Sequence, residues 1–211
     1  ATYPELIDIK ITDYCPFACS YCYMGSSNKG EPGNKDYINS LLYTLADYEI
    51  FEVALGGGEP TTHPEFIRFL AFCKQHGITA NFTTKSMDWM GSIGNAHTIL
   101  TSCGSFAYSV RNVSELEKFI IIFEKLKLDL KQFNFCPKTP NIHIVEYITP
   151  EYQLREILKL CAVHHYPIVL LGLKTTGRGE QYQKKQEKKY DWVSVVNKLI
   201  QAGEYIRFGI D

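Results

Sequence analysis

The chain has 211 residues, a formal net charge of -1 and 45% hydrophobic residues, which is enough for the core of one domain. Near-neutral charge gives no reason to expect nucleic acid as the main partner, and no apolar run approaches the ~20 residues that a membrane span needs. Seven cysteines without a secretion signal argue against a disulfide framework. We therefore expect a cytoplasmic protein whose clustered cysteines bind metal.

The first half of the chain alternates between strand and helix patterns. Apolar residues that alternate with polar ones predict a first strand over 6–12, and a three-cysteine loop follows it. The next predicted elements are a helix over 36–49, a strand over 50–55, a helix from about 62 to 75, a strand over 78–84 and a helix over 86–100.

The same alternation continues to the end of the chain. The predicted elements are strands over 105–110, 141–148, 167–173 and 205–211, and helices over 114–128, 151–164 and 191–202. Alternating strands and helices imply a parallel sheet with right-handed crossovers and the helices outside. The chain is too short for an eight-unit barrel of ~250 residues. We therefore predict an α/β fold with parallel strands inside and helices outside, which is not a closed eight-unit barrel.

One face of three predicted strands is polar. Because side chains alternate between the two faces of a strand, the residues that share these faces are Asp8, Lys10 and Thr12; Thr79, Asn81 and Thr83; and Asn141, His143 and Tyr147. A closed eight-stranded barrel is filled with branched apolar side chains, so these faces indicate a lumen that admits water and a ligand. A flat, doubly wound sheet with buried ion pairs is the alternative.

Three thiols lie close together in the loop after the first strand, at Cys15, Cys19 and Cys22. Thiolates are the usual ligands of iron–sulfur clusters, and three of them leave one iron of a four-iron cluster without a protein ligand. By analogy with zinc sites, an open coordination position marks a reactive centre. Structural zinc is the alternative, but it takes four protein ligands, and His63 would have to approach the loop after folding.

Two motifs in this order resemble the radical S-adenosylmethionine (radical SAM) enzyme superfamily. They are Cys-x-x-x-Cys-x-aromatic-Cys after the first strand and the segment Gly57-Gly58-Glu59-Pro60 after the second. The resemblance implies a six-unit partial barrel, (β/α)6, in which Cys15, Cys19 and Cys22 hold a [4Fe-4S] cluster whose open iron binds SAM. Reductive cleavage would give a 5′-deoxyadenosyl radical that removes hydrogen from a substrate. The alternative is an iron–sulfur protein for electron transfer or sensing.

The resemblance also implies where SAM would bind. Tyr21 matches the aromatic position near the adenine, the main chain at the glycine motif would bind the amino group, and strand-end hydroxyls would contact the ribose and carboxylate. The residues expected to bind the cofactor are Tyr21, Gly56, Gly57, Gly58, Glu59, Thr83, Thr84 and Ser109. Glu59 could instead hold its own turn, the hydroxyls could satisfy loop backbone, and Tyr21 could be a core aromatic residue.

Four residues are expected to face the lumen near its mouth and to contact substrate: Asn81, His143, Tyr147 and Lys174. The substrate is expected to be a small molecule or a peptide. The resemblance implies an electron donor such as a flavodoxin or a ferredoxin.

The rest of the chain carries weaker signals. Arg111 could pair with a carboxylate or lie in a solvated loop. The segment Lys174 to Gly179, with its Gly-Arg-Gly, resembles radical SAM proteins that carry a C-terminal extension with auxiliary clusters. We expect residues 1–211 to be the radical SAM core domain, continued by a further C-terminal segment. The remaining cysteines are interpreted as structural: Cys73, Cys103, Cys136 and Cys161.

Overall fold

The computed structural model describes residues 4–185, 191–201 and 207–210. They divide into two compact units. The first comprises residues 4–19, 24–106 and 124–138, and the second comprises the described residues within 20–23, 107–123 and 139–210. The expectation of one domain over 1–211 stays a prediction.

The first unit begins with three strand–helix repeats. Its elements are β1 (Leu6–Thr12), α1 (Lys35–Asp47), β2 (Glu52–Gly57), α2 (Phe66–Gln75), β3 (Thr79–Thr84) and α3 (Ile93–Ser102), with 3-10 turns at Pro60–Thr62 and Asp88–Gly91. β2 pairs in parallel with β1 on one side and with β3 on the other. All three strands therefore end at the same edge, and the cysteine loop and glycine motif follow β1 and β2 there.

The second unit repeats the pattern. Its elements are β4 (Phe106–Val110), α4 (Val113–Leu130), β5 (Asn141–Val145), α5 (Glu151–His164), β6 (Ile168–Leu171), α6 (Arg178–Lys185), α7 (Trp192–Gln201) and β7 (Phe208–Ile210). The first residue of β4, Phe106, belongs to the first unit. α4 continues along the chain into the first unit and is followed there by a 3-10 turn at Lys131–Phe133. β4, β5, β6 and β7 pair in parallel, each with the next.

Each unit has an apolar core between one face of its strands and its helices. In the first unit, Phe82 of β3 lies among three aromatic rings, with centroid distances of 5.1 Å to Phe66, 6.0 Å to Trp89 and 5.6 Å to Phe106. In the second, Tyr108 of β4 stacks on Phe119 of α4 at 4.2 Å. The opposite strand faces are less buried, as the alternating exposure along β3 and β5 shows, and this agrees with the predicted polar faces.

One strand and one helix are among the predicted elements whose bounds differ in the structure. The strand predicted over 141–148 stops at Val145, and Tyr147 lies in the following turn with a φ of 61°. The period-two argument that placed Tyr147 on the strand face is therefore wrong. The helix predicted over 86–100 is a 3-10 turn followed by α3, because Ser92 caps a new helix by accepting a hydrogen bond from the Asn95 N–H at 3.4 Å.

The chain after β6 contains a helix that is absent from the predicted elements. This helix is α6, which runs from Arg178 to Lys185. The end of the last predicted helix and part of the last predicted strand lie outside the described residues. The positions left out after β6 are 186–190, 202–206 and 211. No helix within residues 4–185 and 191–201 has both the length and the apolar character needed to cross a membrane.

Candidate active site

The cysteine loop is folded back on itself directly after β1. The Cys15 N–H donates to the carbonyl oxygen of Ser27 at 2.9 Å, and the Tyr14 N–H donates to the Thr12 hydroxyl at 3.0 Å. Ala18 has a φ of 41°, an uncommon conformation for a residue with a side chain, and it lies between the first two cysteines. These contacts fix the start of the loop before any cofactor binds.

The glycine motif holds this loop through its backbone. The Gly58 N–H donates to the carbonyl oxygen of Thr12 at 2.7 Å, and the Glu59 N–H donates to that of Tyr14 at 2.9 Å. A Cβ on Gly58 would lie 2.0 Å from the Tyr14 oxygen, and one on Gly57, whose φ is 122°, would lie 2.3 Å from the Thr12 oxygen. Glycine is therefore required at both positions because backbone approaches backbone too closely for a side chain.

Gly56 differs from the two glycines that follow it. A Cβ built on Gly56 meets nothing within 4 Å. Packing against the chain does not explain this glycine, and the expectation that the main chain here contacts SAM stays a prediction.

The Glu59 carboxylate is buried, with 2% of the residue exposed. One oxygen accepts from the Thr61 N–H at 3.3 Å, from the Thr61 hydroxyl at 2.7 Å and from the Thr84 hydroxyl at 2.7 Å. The other accepts from the backbone N–H groups of Lys85 and Ser86 at 2.8 and 3.2 Å. Of the two roles considered for Glu59, the structure shows the one that holds the turn. A direct contact with SAM stays a prediction.

The strand-end hydroxyls fall into different environments. Thr84 is buried and its hydroxyl is engaged with Glu59, so it satisfies the chain in the way the alternative for these residues describes. Thr83, on the opposite face of β3, is exposed. Ser109 lies on the less buried face of β4. Contacts of these three hydroxyls with ribose or carboxylate remain predictions.

The environment of Cys15 favours the protonated thiol. Burial raises its pKa, the backbone N–H groups of Phe17 and Ala18 oppose this, and negative charge at Glu59 and Cys19 adds to the rise. Metal ligation requires the thiolate, so the positive charge of a bound metal would have to offset the burial and the neighbouring negative charge that raise the pKa.

The three predicted cluster ligands are half-buried, and none of them forms a disulfide. Cys15 and Cys19 belong to the first unit and Cys22 to the second. In the described part of the chain, no group of three or more Cys, His, Asp or Glu side chains is gathered to hold a metal ion. The chemistry of the donor set, three thiols in one loop, fits an iron–sulfur cluster, and the ligand assignment stays a prediction.

The hydrogen bonds of His63 argue against it as a zinc ligand. His63 is 4% exposed, its Nε2 donates to the Gly33 carbonyl oxygen at 3.0 Å, and its Nδ1 accepts from the Glu65 N–H at 3.1 Å. Both ring nitrogens are engaged, so His63 has none left for a metal ion.

A cleft of about 500 Å³ lies in the second unit, where residues following β4 and β5 come together. Its lining includes Tyr21, Arg111, Asn112, Ile148, Gln153 and Tyr182. The Arg111 guanidinium donates twice to Glu115, from Nε at 3.0 Å and from Nη2 at 2.6 Å. This carboxylate pairing was one of the two options for Arg111. Tyr21 lines the same cleft, so its ring is not enclosed in the apolar core.

The predicted substrate contacts stay predictions, and the structure shows the surroundings of each residue. The Asn81 amide donates to Glu52 and accepts from the Ser105 N–H at 2.7 Å and from the Ser105 hydroxyl at 3.0 Å, so both of its ends are engaged within the chain. These contacts argue against Asn81 as a substrate ligand. His143 lies on the less buried face of β5, and its role stays a prediction.

Two other predicted contacts lie after their strands. Tyr147 is in the turn after β5, where hydrogen bonding to Glu146 raises the pKa of its phenol. The Lys174 Nζ lies 4.8 Å from the centroid of the Tyr23 ring. Lys174 thus belongs to a segment that contacts the cysteine loop. No side-chain pattern in the sequence predicts this contact, although the two glycines that flank Arg178 are typical of a close backbone approach.

The remaining cysteines agree with a structural interpretation in two cases. Cys73 and Cys161 have no exposed surface, and burial raises the pKa of their thiols to about 11 and about 12. Cys103 is half-buried with a pKa raised to about 11, mainly by burial. Cys136 is exposed.

Known proteins that are similar in sequence to this chain include a mycofactocin maturase and a peptide cyclase. Mycofactocin maturase MftC of Mycobacterium tuberculosis strain H37Rv is 23% identical over 235 residues, which cover 98% of this chain and 54% of that protein. PqqA peptide cyclase of Methylorubrum extorquens strain AM1 is 25% identical over 118 residues, or 51% of this chain and 30% of that protein. The chain spans about half the length of MftC.

Solved structures show the fold. Streptococcus suis SuiB bound to S-adenosylmethionine superposes with a TM-score of 0.73 at 18% identity, covering 99% of this chain and 51% of that one. SuiB bound to the precursor peptide SuiA gives a TM-score of 0.74, with 49% of that chain covered. The predicted fold class, a partial TIM-like α/β barrel, is confirmed.

The family model described as the Radical SAM superfamily matches residues 9–209. Enzymes of this superfamily share a [4Fe-4S] cluster and SAM, so the predicted enzyme class and cofactors are confirmed at the level of the family. By its fold, its cysteine loop and this match, the chain belongs to the Radical SAM superfamily.

Proposed function

We propose that the protein is a radical SAM enzyme that modifies a peptide. The observation that carries the proposal is the fit of the glycine motif to the cysteine loop, in which Gly58 and Glu59 bind the carbonyl oxygens of Thr12 and Tyr14. Backbone contacts of this length place the start of the loop in one conformation. The proposed ligands are Cys15, Cys19 and Cys22.

The chain's own residues would then hold and orient the cofactors. Cys15, Cys19 and Cys22 would hold the cluster, which together with SAM would supply the radical chemistry needed to remove a hydrogen atom from the substrate. Glu59, buried and engaged with five donors, keeps the turn after β2 closed. The backbone at Gly56 to Gly58 and the hydroxyl groups of Thr83 and Ser109 would contact SAM.

A peptide is the substrate class that the relatives favour. PqqA peptide cyclase carries a peptide in its name, and SuiB has been solved with its precursor peptide. The cleft in the second unit is lined by aromatic and amide side chains, including Tyr21, Asn112 and Gln153. Such side chains can both pack on a peptide and bond its backbone groups. We further propose that the protein acts in the cytoplasm and receives its electron from a flavodoxin or a ferredoxin.

The test is an anaerobic assay of the full-length protein with iron and sulfide, a reductant, SAM and the short peptides encoded beside its gene. We expect formation of 5′-deoxyadenosine that increases with one peptide, together with a mass change of that peptide. The Cys19→Ala variant should form none, whereas Cys136→Ala, outside the motif, should match the wild type.

The possible failures separate from one another. Formation of 5′-deoxyadenosine without stimulation or modification of any peptide would overturn the peptide substrate and leave the radical chemistry intact. A cluster that assembles but yields no 5′-deoxyadenosine, with an electron paramagnetic resonance (EPR) spectrum that SAM does not change, would instead identify an electron-transfer or sensing protein.

A further inference from the structure

We propose that the post-β6 segment, residues 174–179, positions Cys22 by binding the backbone of residues 21–23. The importance of Cys22 rests on the proposed function, in which it is the third cluster ligand. The contact itself is independent of that function, because it is made between parts of the second unit.

The post-β6 segment binds backbone carbonyl groups at Cys22 and its neighbour. The Arg178 N–H donates to the carbonyl oxygen of Cys22 at 3.0 Å. The Thr176 hydroxyl donates to the carbonyl oxygen of Tyr23 at 3.4 Å. These groups lie more than a hundred residues apart in sequence, so the hydrogen bonds fix the end of the cysteine loop to a distant part of the chain.

Two glycines permit this close approach. Gly177 has a φ of 54°, and a Cβ there would lie 2.5 Å from the Tyr23 oxygen and 2.9 Å from the Cys22 oxygen. A Cβ on Gly179 would lie 2.1 Å from the Lys174 oxygen and 3.4 Å from that of Tyr21. The nearest atoms are backbone in every case and cannot move aside as a flexible side chain could. Gly177 is therefore explained by contact with the backbone of Cys22 and Tyr23, and Gly179 by the close approach of the post-β6 segment to its own Lys174 carbonyl group.

Side chains add contacts on both sides of Cys22. The Lys174 Nζ lies 4.8 Å from the Tyr23 ring centroid, within the range of a cation–π interaction. The Tyr21 ring meets that of Tyr182 edge to face at a centroid distance of 6.0 Å. The residues before and after Cys22 are thus both held by the chain that follows β6.

The post-β6 segment binds the backbone at the Cys22 end of the cysteine loop, as the glycine motif does at the Cys15 end. Gly58 and Glu59 hold the backbone on the Cys15 side, and the post-β6 segment holds it at Cys22. A ligand whose backbone is already fixed loses less conformational entropy when it binds metal. The inference is that Gly177, Arg178 and Gly179 are positioning residues for the cluster, although none of them carries a metal-binding group in contact with it.

The first test compares two alanine variants of the full chain without its cluster. Gly177→Ala introduces both the left-handed strain and the contact with backbone oxygens. Gly77→Ala introduces similar strain, since its φ is 75°, but its Cβ meets nothing within 4 Å. By hydrogen exchange with mass spectrometry, we expect exchange in peptides covering 20–23 and 176–180 to rise on the order of tenfold in Gly177→Ala alone. Equal exchange in the two variants at these peptides would overturn the proposal.

The second test follows the cluster. In reconstituted protein, Gly177→Ala should lose iron to a chelator severalfold faster than Gly77→Ala and should show an altered EPR spectrum of the reduced cluster. Iron loss and spectrum equal to those of Gly77→Ala would show that the contact does not position Cys22. If Gly177→Ala does not fold, Lys174→Met removes only the cation above Tyr23, and we expect roughly a twofold change in the same direction.

These outcomes distinguish the proposal from the proposed function. A wild-type protein that assembles no cluster would refute the proposed function. Hydrogen exchange would still decide whether the post-β6 segment holds the backbone around Cys22.

Discussion

The carbonyl oxygen of Tyr14 lies 2.0 Å from the position that a Cβ on Gly58 would occupy. Tyr14 precedes the first predicted cluster ligand, and Gly58 is the second residue of the glycine motif, directly after β2. The two segments that the superfamily resemblance singled out are therefore in direct backbone contact. Glycine at position 58 follows from this contact without reference to any cofactor.

We predict that Gly58→Ala loses the cluster. The added methyl group cannot be accommodated beside backbone, so the start of the cysteine loop must shift. Iron bound per chain after anaerobic reconstitution should fall to less than about a fifth of the wild-type value, the effect expected when a ligand set is displaced. The matched control is Gly56→Ala, whose Cβ meets nothing within 4 Å, and it should keep its iron. Equal iron in the two variants would contradict the prediction.

Replacement of Glu59 by glutamine should destabilise the fold. The carboxylate accepts five hydrogen bonds in a buried setting, and the amide would direct its own N–H groups at donors. Because buried donors left unsatisfied cost about 1–3 kcal/mol, we expect the free energy of unfolding in urea to fall by about 2–3 kcal/mol. Glu156→Gln, in an exposed ion pair with Lys159, should change it by less than about 1 kcal/mol. A Glu59→Gln variant as stable as this control would refute the structural role.

The buried thiol of Cys161 should make stability fall at alkaline pH. Burial raises its pKa from 9.0 to about 12, so the folded chain keeps a proton that the unfolded chain releases above about pH 8.5. The contribution of this thiol to the free energy of unfolding is fully present below that pH and is lost as the pH rises towards 12. Between about pH 9 and pH 11, the slope of unfolding free energy against pH should be less negative in Cys161→Ala by about 1.4 kcal/mol per unit.

The exposed cysteine provides the control for this titration. Cys136→Ala removes an exposed thiol instead of a buried one and is the matched variant for this measurement. Parallel slopes in the wild type and Cys161→Ala, measured by urea unfolding under reducing conditions, would contradict the buried-thiol account.

Asn81 should prove structural. Its amide joins Glu52 to Ser105, so Asn81→Ala should lower the free energy of unfolding by about 1–3 kcal/mol. Formation of 5′-deoxyadenosine per loaded cluster should stay within roughly twofold of the wild type. Asn197→Ala, on the exposed face of α7, should change neither. A stable Asn81→Ala variant with no activity would instead support Asn81 as a substrate contact, as predicted from the sequence.

The sequence predicted the parts of the fold and site that depend on local spacing. Strand alternation identified β1 to β6, and the three cysteines and the glycine motif identified the family, because each pattern lies within a few residues. Strand ends were less predictable. Tyr147 was placed by extending a period of two beyond Val145, where the chain turns instead.

Contacts between distant segments could not be predicted from periodicity. The pairing of Asn81 with Glu52 and Ser105 depends on strand register, which a single sequence does not specify. The contact of Arg178 with Cys22 uses a backbone N–H and a backbone carbonyl, so no side-chain pattern announces it. The two glycines that flank Arg178 are the feature of the sequence that indicates this contact.

The most direct measurement is a Mössbauer spectrum of protein reconstituted with ⁵⁷Fe, taken with and without SAM. Three cysteine ligands would leave one iron of the cubane for SAM, so we expect the signal of one iron to shift when SAM is added while the others stay unchanged. A spectrum that SAM does not alter, or a protein that holds zinc in place of iron, would contradict the central claim.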